Sequence, residues 1–244
     1  MDNINMMGVK ISKKNLQETV SEISSYIIEG TSHHIITLNA EILYRAQQDE
    51  KLMDTINSAD LVTPDGAGVV WASRILNRPV QERVTGIDLV QAVTERAQQE
   101  GWRMCLYGGK PGTAREAANN LQKKFPKLKI VGTYHGYQSS KELEEMYGHI
   151  ADTNPDILLV ALGAPLQEYW IRDNKETLGI PVMVGVGGSL DVLAGKAKRA
   201  PTWLQKAQLE WLYRLIKEPK RYKRMLALPK FMLMVLKMKL RGKA

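Results

Sequence analysis

The chain is 244 residues long, 44% hydrophobic and 25% charged, the balance of a globular protein with ample core material, which excludes a disordered or fibrous chain. Its single cysteine, Cys105, excludes an intrachain disulfide and points to a reducing compartment. The net charge of +8 sits at one end: residues 201–244 hold 12 Lys and Arg against Glu210 and Glu218, whereas the first 200 residues hold 22 basic against 24 acidic side chains.

In chain order, residues 1–14 show no apolar run of the signal-peptide kind. Ser12 reads as an N-cap, after which Leu16, Val20, Ile23 and Ile27 recur at helical spacing until Gly30 stops the helix. His33–Leu38 and Ala59–Thr63 read as strands, and Gly86–Glu100 as a helix. Arg103–Tyr107 is the next strand, and Cys105 inside it reads as an inert buried thiol. Helix Gly112–Lys124, strand Lys129–Thr133, helix Ser139–Ala151, strand Ile157–Leu162, helix Pro165–Leu178 and strand Pro181–Val186 complete the series. Strands and helices that alternate in this way predict an α/β fold, a mostly parallel Rossmann-like sheet with helices on both faces, over residues 1–200.

From Pro201 the sequence changes character. Residues 201–244 read as a basic helical appendage, divided by Pro219 and Pro229 into three short helices. Its cations are interleaved with Trp203, Trp211, Tyr213, Tyr222, Phe231 and a Met/Leu cluster, a combination that an anionic lipid surface attracts. Phosphate alone rewards exposed Met and Leu poorly, and no nucleic-acid-binding signature is present, so nucleic acid is not expected as a partner. The longest apolar stretch there, Phe231 to Leu236, is far short of the ~20 residues that span a bilayer. The chain is expected to lie on a membrane and not to cross it. A packed helix with a solvated basic face is the bland alternative.

Ligands of parallel sheets bind beyond the carboxyl ends of the strands. Those ends carry Thr37 and Asn39, Thr63 to Gly68, Tyr107 to Gly112, Tyr134 to Tyr137, Gly163 to Glu168 and Gly185 to Asp191. So many Gly, Asp, Asn and Thr at one edge predict a cleft, and the glycines suggest a phosphate-bearing ligand held by backbone N–H groups. Trp71 stands where a third dinucleotide-fingerprint glycine would follow Gly66 and Gly68, and the Lys110 loop lacks P-loop spacing. There is no Asp-X-Asp, and His33, His34, His135 and His149 lack zinc-type spacing. A nucleotide bound without metal or other cofactor is the expectation. Asp65 is either a general base in that cleft or the N-cap of a helix beginning near Gly66, and spacing alone favours the cap. Asp191 reads as a cap or as an acceptor for a base or ribose. Gln167 and Glu168 read as a capping pair or as sugar contacts.

Several blocks are specific: Thr63-Pro64-Asp65-Gly66-Ala67-Gly68-Val69-Val70-Trp71, Arg83-Val84-Thr85-Gly86-Ile87-Asp88-Leu89, Tyr107-Gly108-Gly109, Asn154-Pro155-Asp156, and the stretches 163–170 and 185–201. With Glu210-Trp211-Leu212-Tyr213-Arg214-Leu215, and Glu218-Pro219 followed by Arg221 and Arg224, they make the whole chain resemble the TagA/WecG/CpsF family of glycosyltransferases. The resemblance implies sugar transfer from a UDP-N-acetylhexosamine donor to an undecaprenyl-diphosphate-linked N-acetylglucosamine acceptor, by a cytoplasmic enzyme peripheral to the inner face of the membrane. The basic appendage favours the branch that uses UDP-N-acetylmannosamine and makes the β-1,4 link that commits the lipid to wall teichoic acid. A related branch uses UDP-N-acetylmannosaminuronic acid, and a membrane-docked nucleotide-sugar sensor is the non-enzyme alternative. An α-linked donor giving a β product implies inversion by direct displacement, and the resemblance tips Asp65 from cap to base. Arg83 is then the candidate for the leaving diphosphate, with Thr37, Asn39 and Gln167 orienting sugars. Gly108, Gly109, Tyr137, Gly187, Gly188 and Asp191 are candidates for the UDP moiety, and Arg214, Arg221 and Arg224 for diphosphate contacts from the appendage. A homo-oligomer is left open.

Overall fold

The computed structural model describes residues 2–217, 219 and 222–241. It opens with a hairpin that the sequence reading did not contain, β1 (Asn3–Met6) paired antiparallel with β2 (Val9–Ser12). Met7 and Gly8 form its two-residue turn with φ of 56° and 82°, the doubly positive geometry that suits the strand twist of a tight hairpin. Ser12 therefore ends a strand and is not a helix cap. The N-cap of α1 (Leu16–Glu29) is Asn15, which forms a reciprocal capping box with Glu18.

The six predicted strands all form: β3 (His33–Leu38), β4 (Leu61–Pro64), β5 (Arg103–Gly108), β6 (Lys129–Tyr134), β7 (Ile157–Ala161) and β8 (Val182–Gly185). They make one parallel sheet in the order β4-β3-β8-β7-β5-β6. Between them run α2 (Ala40–Ala46), α3 (Glu50–Asn57), α4 (Ala67–Ile75), α5 (Gly86–Glu100), α6 (Thr113–Lys124), α7 (Ser140–Thr153) and α8 (Leu166–Leu178), and α9 (Ser189–Leu193) follows β8. Alternate residues of the central strands point to opposite faces. Ile35, Met104, Leu106 and Leu159 join a core under α1, α5 and α6. Ile36 and Leu38 pack with the hairpin, α2, α3 and α4, while Cys105, Leu158 and Val160 pack under α7 and α8. Burial in that core pushes the Cys105 thiol up to about 12, so it is inert at neutral pH.

The C-terminal segment comprises α10 (Thr202–Lys206), α11 (Glu210–Lys217), α12 (Tyr222–Met225) and α13 (Ala227–Leu240). Pro229 does not divide it. It lies in the first turn of α13, where the missing N–H has no intrahelical partner to lose. α13 packs on α2 and α4, with Phe231 and Val235 fully buried in the same core as the hairpin. Phe231→Ala is expected to cost about 3–5 kcal/mol of that packing. Because one helix is loosened and the sheet is not, hydrogen exchange should accelerate in α13 and its neighbour α12 while the core strands keep their protection.

Candidate active site

A cavity opens beyond the carboxyl ends of β3, β4, β7 and β8, walled on its outer side by Glu210, Trp211 and Arg214 of α11 together with Met225 and Leu228. At its base lies Asp65. The backbone N–H of Asp65 donates to Leu38 O at 2.8 Å, extending the β3–β4 pairing by one residue. Its side chain does not cap α4, whose N-cap is Gly66 with no side-chain cap bond. Asp65 Oδ2 instead accepts the N–H of Gly86, at 3.2 Å, from the N-terminus of α5. Burial pushes the carboxyl up to about 6 despite opposing influences from that N–H, Arg214 and Arg83, and Glu210 adds to the rise. A carboxylate with proton affinity close to neutral pH, facing a cavity, has the properties of a general base.

The candidates divide by position. Thr37, Asn39, Arg83, Gln167, Gly187, Gly188 and Arg214 line the same cavity as Asp65. The Thr37 hydroxyl is committed to Gly185 O at 2.9 Å, and Asn39 caps α2 by accepting from Ile42 N at 3.0 Å. Gln167, 3% exposed, works as a staple. Its Oε1 accepts Gly163 N–H at 3.2 Å and Gly187 N–H at 3.0 Å, so it ties the loops after β7 and β8. Its Nε2 donates to Glu168 Oε1 at 2.9 Å. Glu168 is almost wholly buried, its carboxyl raised by burial.

Gly108, Gly109, Tyr137 and Asp191 are not in that cavity wall. Gly108 and Gly109 turn the chain at the end of β5, where Gly109 N–H donates to Ala161 O at 3.0 Å. Tyr137 is 70% exposed beyond β6, and Asp191 lies in α9. Arg221 and the side chain of Arg224 lie outside the described residues, the Arg224 backbone being part of α12.

Glu210 lines the cavity as well, and it adjoins an ion pair outside the cavity wall, Asp88–Arg199. Arg199 meets Asp88 through two contacts, NH1–Oδ1 at 2.6 Å and NH2–Oδ2 at 2.8 Å. Burial works against the Asp88 carboxylate, but hydrogen bonds from Arg199 and Thr85 outweigh it and hold the group below the usual carboxylate range. Glu210, 8% exposed, joins Arg83, Arg199 and Arg214. Two sequence signals pointed to Glu210, its place at the head of the block from Glu210 to Leu215 and its acid side chain in a segment otherwise so basic. Among the described residues, no group of three or more His, Cys, Asp or Glu is arranged to hold a metal ion.

Over residues 4–244 the chain matches the model of the family described as the glycosyl transferase WecG/TagA/CpsF family. A protein of Bacillus subtilis (strain 168) named N-acetylglucosaminyldiphosphoundecaprenol N-acetyl-beta-D-mannosaminyltransferase is 39% identical over 212 residues, 87% of this chain and 82% of that protein. A protein of the same name from Bacillus spizizenii is 37% identical over 214 residues, 88% of this chain and 82% of its own length. Another from Staphylococcus aureus (strain MW2) is 32% identical over 238 residues, 97% of this chain and 93% of its own.

Proposed function

Since the chain belongs to the WecG/TagA/CpsF family of glycosyltransferases, we propose that it transfers N-acetylmannosamine from UDP-N-acetylmannosamine to the 4-hydroxyl of undecaprenyl-diphosphate-linked N-acetylglucosamine, with inversion. The observation that carries the chemistry is Asp65, a carboxylate titrating near neutrality in a cavity also lined by Arg83 and Arg214. Asp65 takes the proton of the acceptor hydroxyl as its oxygen bonds to the sugar C1. The C1–O bond to phosphate breaks, and UDP leaves with the electron pair. Charge grows on the diphosphate in that step, and pre-placed guanidinium groups stabilise it most where water is excluded. Arg83 and Arg214 take this role, and we extend it to Arg221 and Arg224. Gln167 acts by fixing the two loops that line the sugar.

For the nucleotide we propose the neighbouring crevice. The chain leaves β5 toward β6 and leaves β7 toward β8, and such a divergence between adjacent strands is where open parallel sheets bind nucleotides. We assign Gly108 and Gly109, which turn the chain at the end of β5, to the UDP moiety there, together with Tyr137 and Asp191. A donor screen against a short-prenyl diphosphate-linked N-acetylglucosamine tests the assignment. Turnover with UDP-N-acetylmannosamine and none with the uronic acid is expected, and the reverse would move the chain to the other branch. Turnover should also survive a chelator, the leaving group being met by guanidinium charge, and strict dependence on added divalent metal would overturn that account.

The exposed apolar side chains of the C-terminal segment support a peripheral membrane location. Trp203, Trp211, Ile216, Leu226, Leu233 and Leu236 are exposed among the basic residues, and among the described residues no helix is long and apolar enough to cross a membrane. The expected result is binding to anionic vesicles, about 1 kcal/mol per basic residue near the surface, which salt weakens without abolishing because apolar insertion is not screened. Equal binding to neutral vesicles would remove the electrostatic half of the argument.

A further inference from the structure

The mechanism above leaves the buried Glu210 without a task. Glu210 is the first residue of α11, and its side chain is turned into the protein. It meets three guanidinium groups from three separate segments. Arg214, one turn on in the same helix, donates to Oε1 at 2.8 Å. Arg83, from the loop between α4 and α5, approaches Oε2 to 3.7 Å, and Arg199, from the stretch before α10, brings Nε to 4.0 Å from Oε1. An i,i+4 pair such as Glu210–Arg214 forms on any exposed helix face and does not require burial. What the burial accomplishes is the junction with Arg83 and Arg199.

Guanidinium groups repel one another, and a buried charge must be paired. Without a carboxylate at 210, Arg83 and Arg214 would separate or turn toward solvent. We propose that Glu210 is a positioning residue for the transfer site, one carboxylate that ties Arg83 of the body to Arg214 of α11 and holds both guanidinium groups in the cavity beside Asp65. The inference rests on the transferase reading of the cavity, and it makes the docking of α11 and the alignment of Arg83 a single event. The charged groups facing Asp65 are Arg83 from the α4–α5 loop, and Glu210 and Arg214 from α11. Glu41 of α2 lines the same cavity, and the Asp88–Arg199 pair lies beside it. Burial sets most of the Asp65 proton affinity, and Glu210 is the negative member of the charged group that modulates it.

Glu210→Gln keeps the shape and removes the charge, while Glu210→Asp keeps the charge on a shorter stem. On a soluble short-prenyl acceptor, Glu210→Gln should lower kcat by about 10- to 100-fold, the usual cost of misplaced positioning groups. The KM for acceptor should change by less than about threefold, because an interaction used mainly in the transition state is lost. Glu210→Asp should recover part of the loss. Independently of turnover, a carboxyl 13C titration of the full chain, with the Asp65 resonance identified from Asp65→Asn, should show its midpoint moving to higher pH in Glu210→Gln, because the released guanidinium groups no longer lower it and their influence outweighs that of Glu210 itself. Unchanged kcat, or an Asp65 midpoint that stays put or moves to lower pH in a folded variant, overturns the proposal, since the guanidinium groups would then have kept their places without Glu210. If the unmodified chain transfers no sugar, the transferase reading fails by itself, and the titration still decides whether Glu210 organises the site.

Discussion

Asp65→Asn lowers turnover by about two to four orders of magnitude, the scale associated with a positioned base, and at the same time stabilises the fold. The two effects share one cause. The carboxyl is raised from an ordinary 3.8 to about 6 by burial, so its ionised form is disfavoured by up to about 2–3 kcal/mol relative to the unfolded chain. The folded state takes up this proton near pH 6 and the unfolded state near pH 4. Stability from this group is therefore full below about pH 4 and falls as pH rises through 6. Asn has no such loss. The melting-temperature advantage of Asp65→Asn should be small at pH 4 and several degrees above pH 7. In the unsubstituted chain kcat/KM should fall on the acid side with a midpoint near 6, as Asp65 becomes protonated and ceases to act as a base. A variant with full turnover, or with no gain in stability at pH 7.5, contradicts the assignment. A residue that only capped a helix would show neither effect, since Asn caps about as well as Asp.

Gly108→Ala should be the most damaging single change to the fold. A Cβ at that position would lie 2.3 Å from the backbone oxygen of Ala161, and the residue has a φ of +130°. Neither backbone can yield, because β5 and β7 are locked in register here through the pairing of Gly108 with Ala161. More than about 4 kcal/mol of destabilisation is expected, the range reserved for clashes of this kind. Gly109→Ala meets the Thr113 side chain at 2.9 Å with a φ of +69°, and a side chain can move. Its cost should be about 1–3 kcal/mol, the scale of strained backbone conformations. Urea unfolding of both variants measures the difference, and equal costs would show that the β5–β7 approach is less rigid than this geometry requires. The comparison also separates two roles of the turn. Binding of UDP should be weakened in folded Gly109→Ala if that backbone approaches the nucleotide.

The sheet was legible because its strands are short β-branched runs between helices of regular period, and period is the strongest local signal. The hairpin was not, since its turn is Met7-Gly8 and not one of the usual Asn-Gly or Asp-Gly pairs. Strand ends pointed to Thr37, Asn39, Asp65, Gln167, Gly187 and Gly188, which do share one cavity. Asp65 as a cap was the natural local reading, and it failed because the carboxylate bonds a helix 21 residues away. No local pattern reveals a partner at that distance. Glu210 escaped for the same reason, as its partners Arg83 and Arg199 come from elsewhere in the chain. Burial of α13 was hidden by composition: its Lys residues signalled surface, while Phe231 and Val235, four apart on one helix face, signalled core.

The strand order has a consequence for the birth of the protein. β3 is sandwiched between β4 and β8, and its Ile35 aligns with both Leu61 and Val184. The first of these neighbours is made almost at once. The second is separated from β3 by roughly 150 residues, which at a synthesis rate of about 5–20 residues per second is on the order of ten to thirty seconds. Throughout that interval one edge of a fully buried strand of the finished sheet has no partner in the nascent chain, the condition under which unfinished sheets pair with the wrong chain. The cavity that holds Asp65 cannot exist until β8 and the Gly187 loop arrive to close it, and its outer wall waits longer still, for α11. Chemistry is thus the last property the growing polypeptide acquires, and a ribosome stalled before residue 182 would release a chain with a raw sheet edge and no catalytic pocket.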